Sequence, residues 1–314
     1  MTDTRMHIGV DVSKDKLDFF APGARRAETV ANRTSGIRRI VGLARRNGWA
    51  VCCESTSIYG TALVKACHAA DVAIAVANPL RVRHYAQGKG ILEKTDAIDA
   101  RMIAKYADEN QPRPAERQAD GERLLRELTD GRAFYLRQIQ VLSGRLEQCP
   151  RGNAIRKDLE RTLRQHRKTL AQLDTRRAQL VAASPELSHR RDRFILVQGV
   201  GETVAMNVMA SMPELGSLSD KEAAKLIGLA PIPDDSGKAK NKRRIAQGRL
   251  FARNSLYMSA VVAAHRNPVL SEFYAGLRAR GKPAKLALVA VMRKLVVLLN
   301  RLARDEEFIP VASG

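Results

Sequence analysis

Hydrophobic and polar positions change period along the chain. In the N-terminal part, short apolar runs alternate with helix-period segments. Met6–Val10 reads as a strand, with Lys16–Ala21 and Glu28–Ala31 as antiparallel neighbours. A helix capped by Ser35 runs through Arg46. Ala50–Glu54 is a further strand, Tyr59–Ala70 has helical spacing, and Val72–Ala77 is a buried strand closed by Asn78-Pro79. Strands alternating with helices predict an α/β layer. After the prolines of Gln111–Pro114 the period becomes helical. Leu125, Leu128, Leu136, Ile139, Leu142 and Leu146, then Leu159, Leu163, Leu170, Leu173 and Leu180, predict long amphipathic helices broken at Pro150-Arg151-Gly152, a helical hairpin or coiled coil. Beyond Pro185, glycine-punctuated helices lead to a last helix, Pro283 to Arg304, so an all-helical C-terminal domain is expected.

Length supports several modules, because 314 residues exceed what one core usually serves. The expected domains are 1–115, 116–190 and 191–314. A 45% hydrophobic content argues against disorder. No apolar run approaches the roughly 20 residues of a membrane span. The polar start, Met1–His7, lacks the pattern of a secretory signal, so a cytoplasmic protein is expected. Cys52, Cys53, Cys67 and Cys149 lack zinc-ligand spacing and read as small buried hydrophobes; the six histidines are scattered, and His84 beside Tyr85 is a candidate nucleic-acid contact.

Charge changes the picture most. Lys and Arg number 54 against 33 Asp and Glu, a net charge of +21. A polyanion partner is the leading explanation, since neutralising phosphates releases counterions. A membrane surface is the rival, but no isolated basic amphipathic helix appears. Aromatic residues make up 4% of the chain, too few for base stacking to dominate binding.

Against this basic background some acids occupy telling places. Asp11 follows the first strand and Glu54 closes another, where ligands of α/β sheets gather. Asp96 and Asp99 are three apart, on one face of a helix that Thr95 could cap; ordinary first-turn capping explains that pair equally well. Four converging carboxylates would repel one another unless divalent cations neutralise them, and hard oxygen donors suit Mg²⁺. Two such ions can hold the attacking and leaving oxygens of a phosphoryl displacement. Asp15, Asp18 and Asp71 read as a charged turn, a strand start and a helix end.

A second candidate lies in the C-terminal part. From Lys238 to Arg253 there are seven Lys or Arg, including Lys238, Lys240, Lys242, Arg243 and Arg244, and no acid. Such a run can grip a phosphate backbone, or form a loop with no specific partner. Ser236, before Gly237, could attack phosphorus once activated, although Ser-Gly is also ordinary turn chemistry. Gly199-Val200-Gly201 opens the helix Val204–Met212 and could present N–H groups to phosphate, as helix-hairpin-helix DNA binders do.

Ile8-Gly9-Val10-Asp11-Val12-Ser13-Lys14, Glu54-Ser55-Thr56-Ser57-Ile58-Tyr59, Asn78-Pro79 and Lys94-Thr95-Asp96-Ala97-Ile98-Asp99-Ala100-Arg101 resemble the N-terminal domain of bacterial insertion-sequence transposases with a RuvC-like Asp-Glu-Asp-Asp site, a family that includes a pilin-gene invertase. Val197-Gln198-Gly199-Val200-Gly201, Ala230-Pro231, Ser236-Gly237 and Asn254-Ser255-Leu256-Tyr257-Met258 resemble its C-terminal domain. The resemblance implies an RNase H-like first domain binding Mg²⁺ through Asp11, Glu54, Asp96 and Asp99. It implies Ser236 as a nucleophile that forms a phosphoserine link to DNA, and a homo-oligomer, dimer or tetramer, in which one protomer's serine domain completes another's carboxylate site. A structured bridge RNA would pair with donor and target DNA, by analogy with other guided effectors. This chain departs from the family pattern at Ser55, Ser57 and Gln198, and Asp234-Asp235 places two acids ahead of Ser236.

The resulting expectation is a Mg²⁺-dependent, bridge-RNA-guided recombinase at the bacterial nucleoid. The alternatives are a RuvC-like Holliday-junction resolvase or nuclease, an invertase without a guide RNA, and an inactive nucleic-acid chaperone.

Overall fold

The computed structural model describes residues 5–54, 58–91, 93, 96–117, 119–231, 235–236, 239–240, 245 and 247–310; the side chains of Asp96, Ala97, Asp235, Ser236, Ala239 and Lys240 lie outside that description. Two compact units result, residues 1–117 and 118–314.

The first unit is built on a five-stranded sheet. Its strands are β1 (His7–Val12), β2 (Lys16–Phe20), β3 (Glu28–Ala31), β4 (Ala50–Glu54) and β5 (Ile74–Ala77), in the order β3-β2-β1-β4-β5. The β1-β2-β3 side is antiparallel, because hairpin-length connections join those strands; β1-β4-β5 is parallel, because helices cross between them. Those helices are α1 (Thr34–Asn47) and α2 (Thr61–Ala69), followed by α3 (Pro79–Gly88) and α4 (Asp96–Asn110). Alternation of side chains divides the core into two faces. Ile8, Val10, Leu17, Phe19, Val51 and Cys53 pack with α1 and α2, whereas Cys52, Ala75 and Ala77 pack with α3 and α4.

Three sequence expectations change. Asp11 lies within β1, not after it, because the antiparallel partner β2 extends the strand by pairing Asp11 with Asp18. Helix α1 starts at Thr34, with Arg33 rather than Ser35 at its N-cap. Asn78-Pro79 also begins a helix: the Leu80 N–H donates to Asn78 Oδ1 (2.9 Å) and Pro79 occupies the first turn, where a missing N–H costs nothing. The segment after α4 folds back onto the sheet, where the Ala115 N–H donates to the Ile74 carbonyl (2.7 Å).

In the second unit, α5 (Asp120–Glu147) and α6 (Arg156–Ala183) each span 28 residues, about 42 Å at helical rise. They pack antiparallel: Arg132 Nε lies 2.6 Å from Asp174 Oδ1, Tyr135 stacks edge-on with His166, and near the connection Arg156 pairs with Leu146 and Cys149 carbonyls. The chain continues through α7 (Pro185–Ile195), α8 (Glu202–Ser211), α9 (Asp220–Leu226), a small ladder of β6 (Asp235–Ser236) and β7 (Ala239–Lys240), then α10 (Leu250–Arg266), α11 (Pro268–Ala279) and α12 (Ala284–Arg304). The ladder departs from the all-helical expectation. One apolar core joins Leu125 and Val181 of the long helices to residues of α7 through α12. A buried polar chain crosses it: Arg177 donates to Asn207 Oδ1 (2.9 Å), and Asn207 Nδ2 donates to Ser255 Oγ (3.2 Å), tying α6, α8 and α10. Burial, foremost, lowers the Arg177 guanidinium to about 10.

Candidate active site

Strand register places the first acids. Val10 pairs with Cys53, so the next residues, Asp11 and Glu54, lie side by side on neighbouring parallel strands at the carboxyl end of the sheet. Neither joins the Val10 and Cys53 core; both belong to the face that α3 and α4 cover. Asp11 also pairs across with Asp18, Asp18 with Thr29, and Glu54 with Ala77. One rung of the sheet therefore reads Thr29, Asp18, Asp11, Glu54, Ala77, with three adjacent carboxylates on one face.

Helix α4 brings the next. At its far end Asp108 accepts from the His7 backbone N–H (2.8 Å) at the start of β1. In its middle the backbone lies on Gly9: a Cβ there would come within 2.2 Å of the Ala100 carbonyl oxygen and 2.3 Å of the Ala104 nitrogen. The helix thus runs antiparallel to β1, and its first turns point toward Asp11. Asp99 lies about 4.5 Å along the axis from the Gly9 crossing, and Asp11 lies about 6.6 Å along the strand from Gly9. Asp11 is therefore level with the first turn of α4, between Asp99 and Asp96. Among the described residues no three His, Cys, Asp or Glu side chains converge closely enough to hold a metal ion; the Asp96 side chain and Thr95 lie outside that description. The donor set nevertheless suits a hard divalent cation, being carboxylate oxygen from three elements of one sheet edge. Burial, first of all, pushes the neighbouring thiols Cys52 and Cys53 up to about 12.

Ser236 occupies β6, where it pairs with Ala239 of β7, and Asp235 pairs with Lys240. Lys238, Lys242, Arg243 and Arg244 fall outside the described residues, as do Ser55 and Ser57. What sequence reading missed is a close contact between two glycines, one on either side of this ladder in the chain. Gly228 and Gly248, at φ +80° and +73°, meet backbone to backbone: a Cβ on Gly248 would stand 2.3 Å from the Gly228 nitrogen. Arg253 donates to both the Gly228 carbonyl (3.2 Å) and the Gln247 carbonyl (2.8 Å), and the Arg249 N–H donates to the Leu226 carbonyl (3.0 Å). Arg249 is anchored in turn by Glu214 and the Ser211 carbonyl. Burial alone would raise the Glu214 carboxyl, but the Arg249 hydrogen bonds and charge outweigh it and hold the group below its usual range. The two glycines were visible as punctuation, but only tertiary contact pairs them.

The Gly-x-Gly turn divides in two. Gly199 (φ +106°) is lodged against α10, 2.9 Å from the Ser259 carbonyl oxygen by the same Cβ measure, so packing accounts for it. Gly201, in extended backbone at the N-cap of α8, opens on space. His68 bonds the Ala115 carbonyl and His7 pairs with Asp108, roles that hold structure together.

A parallel-antiparallel sheet with carboxylates from β1, β4 and the covering helix defines a class of α/β protein built to place several acids at one sheet edge. Among known proteins, a transposase model of the IS110 Asp-Glu-Asp-Asp type matches residues 8–151, and the transposase IS116/IS110/IS902 family model matches residues 192–275. The chain belongs to the IS110 family of transposases, enzymes that cleave and rejoin DNA. It is 26% identical over 313 residues to a pilin gene-inverting protein of Moraxella bovis, covering 96% of this chain and 97% of that one, and 25% identical, with the same coverage, to its counterpart in Moraxella lacunata. No helix among the described residues is long and apolar enough to cross a membrane.

Proposed function

We propose that the protein is a Mg²⁺-dependent, bridge-RNA-guided DNA recombinase of an insertion sequence that exchanges strands through a phosphoserine intermediate. In this reading residues 1–115 form an RNase H-like domain in which Asp11, Glu54, Asp96 and Asp99 hold Mg²⁺. Residues 116–190 form a coiled-coil hairpin that assists assembly, and residues 191–314 carry the nucleophile. The observation that supports the reading is the register that sets Asp11 beside Glu54 at one sheet edge, toward which the approach of α4 to Gly9 directs the first turns of that helix. Bound Mg²⁺ supplies positive charge to the phosphoryl oxygens.

The chain's own residues do the rest. The Ser236 hydroxyl oxygen attacks phosphorus, one P–O bond of the DNA breaks, and the strand leaves with a free hydroxyl while its neighbour stays esterified to the serine. Attack by a second strand's hydroxyl on that ester reverses the step and rejoins DNA. Lys238, Lys240, Lys242, Arg243 and Arg244, with the Gly201 turn, contact phosphates; the serine of one protomer serves the carboxylates of another in a dimer or tetramer. Base pairing by a bridge RNA reads donor and target, which suits a net charge of +21 with few aromatic residues.

Incubation with element-end DNA, the element's bridge RNA and Mg²⁺ is expected to trap a protein–DNA adduct that Ser236→Ala abolishes. An adduct persisting in that variant removes the serine from the mechanism. A second reading, inversion of a DNA segment without a guide RNA, is favoured by the name of the Moraxella relatives; recombination by protein stripped of RNA would select it.

A further inference from the structure

The rung that carries Asp11 and Glu54 includes a carboxylate that sequence reading set aside. Asp18 is 5% exposed, lies directly across from Asp11, and shares its face. Like charges directly opposed on a sheet are destabilising, so its burial needs compensation. Both of its oxygens are engaged: Oδ1 accepts from the Thr29 hydroxyl, and Oδ2 lies 3.0 Å from Lys16 Nζ. Lys16, two residues from Asp18 on the same face of β2, stands at the same sheet edge as the acids. Its side chain remains 44% exposed. Its backbone is fixed by the turn with Ser13, whose N–H (3.1 Å) and hydroxyl (2.9 Å) both donate to the Lys16 carbonyl. Asn32 steadies that turn, donating to the Ser13 carbonyl (2.8 Å) and to the Tyr59 carbonyl (3.2 Å).

From this geometry we infer that Lys16 is a phosphate-binding residue of the carboxylate site and that Asp18 is the residue that positions it. The inference rests on the reading of Asp11, Glu54, Asp96 and Asp99 as the metal-binding set. A site made only of carboxylates repels the phosphodiester it must admit, and a divalent ion on the β1–β4 side leaves the β2 side acidic. An ammonium tethered there by a buried carboxylate supplies positive charge to a non-bridging phosphate oxygen without taking a ligand position. Asp18, with Thr29 and Lys16 on its two oxygens, is not itself a ligand.

The test uses the full chain with the element's bridge RNA, a DNA duplex of the element end, and Mn²⁺ as the probe ion. Lys16→Met is expected to slow strand cleavage about a hundredfold, the usual cost of one charge-stabilising donor, while Mn²⁺ affinity measured without DNA is not weakened. Lys16→Arg is expected to recover most of the rate. Asp18→Asn is expected to slow cleavage and, like Lys16→Met, to leave Mn²⁺ affinity intact, whereas Asp11→Asn weakens it. Cleavage by Lys16→Met at the wild-type rate overturns the inference, as does a loss of Mn²⁺ affinity in Asp18→Asn matching that of Asp11→Asn, which makes Asp18 a ligand. If Asp11→Asn itself cleaves normally, the carboxylate reading has failed and not only the role of Lys16.

Discussion

Gly9→Ala tests the packing that sets the site. The added methyl carbon would stand 2.2 Å from the Ala100 carbonyl oxygen and 2.3 Å from the Ala104 nitrogen, where ordinary contact begins near 3.4 Å. Both obstructing atoms are backbone, so no side chain can turn aside; α4 must retreat from β1 by about 1 Å. Overpacking of this kind costs about 1–3 kcal/mol, which lowers the melting midpoint of a domain this size by about 5 °C or more. The same retreat carries Asp96 and Asp99 away from Asp11, and a misplacement of about 1 Å costs about a hundredfold in rate. Differential scanning calorimetry and a strand-cleavage assay should therefore report a modest loss of stability and a disproportionate loss of cleavage. Gly42→Ala is the control: inside α1 a Cβ meets only the tip of Arg46 at 3.5 Å, and the change should stabilise by up to about 1 kcal/mol. Wild-type melting and wild-type cleavage in Gly9→Ala would refute the close approach on which the site depends.

Other expectations concern the second unit. Arg253→Met removes two hydrogen bonds to the Gly228 and Gln247 carbonyls; the yield of serine-linked DNA should fall at least about tenfold, while salt-dependent DNA binding, governed by total charge, changes little. The Glu214 carboxyl is held below its usual range by Arg249 despite burial, so its stabilisation is complete above the unfolded value near 4.5 and is lost as pH falls through the lower folded value. Urea unfolding at pH 7 and at pH 4 should show a smaller acid loss in Glu214→Gln than in the wild type. Arg177→Met should be tolerated better than Asn207→Ala, because the first removes a buried charge whereas the second leaves that charge with only the longer ion pair to Asp174 (3.6 Å); thermal melting of the two variants checks the order.

Much of the first unit was legible because its signals are local. β3 and β4 were read to the residue from alternation and flanking turns, and Glu54 closes its strand as its position implied. Asp11 was placed one step outside its strand because its partner, Asp18, lies beyond a hairpin whose register no local pattern announces. The same blindness made Asp18 look like an ordinary strand-start charge. Helix α3 was hidden by the double meaning of Asn78-Pro79, which stops a strand and also caps a helix. Gly9, Gly228 and Gly248 are ordinary in sequence; their roles come from backbones meeting across long stretches of chain. The family was more legible than the geometry, because the order of short motifs along the chain carries a resemblance that no single residue does.

The proposed chemistry requires a divalent cation at the sheet edge that carries Asp11 and Glu54, beside Asp99 of α4. Crystals of the full chain grown with Mn²⁺, measured for anomalous scattering, address it directly. A manganese peak is expected within coordination distance of Asp11 and Asp99, and is expected to be lost in crystals of Asp11→Asn. A manganese peak elsewhere, with this edge intact and empty at the same ion concentration, would contradict it.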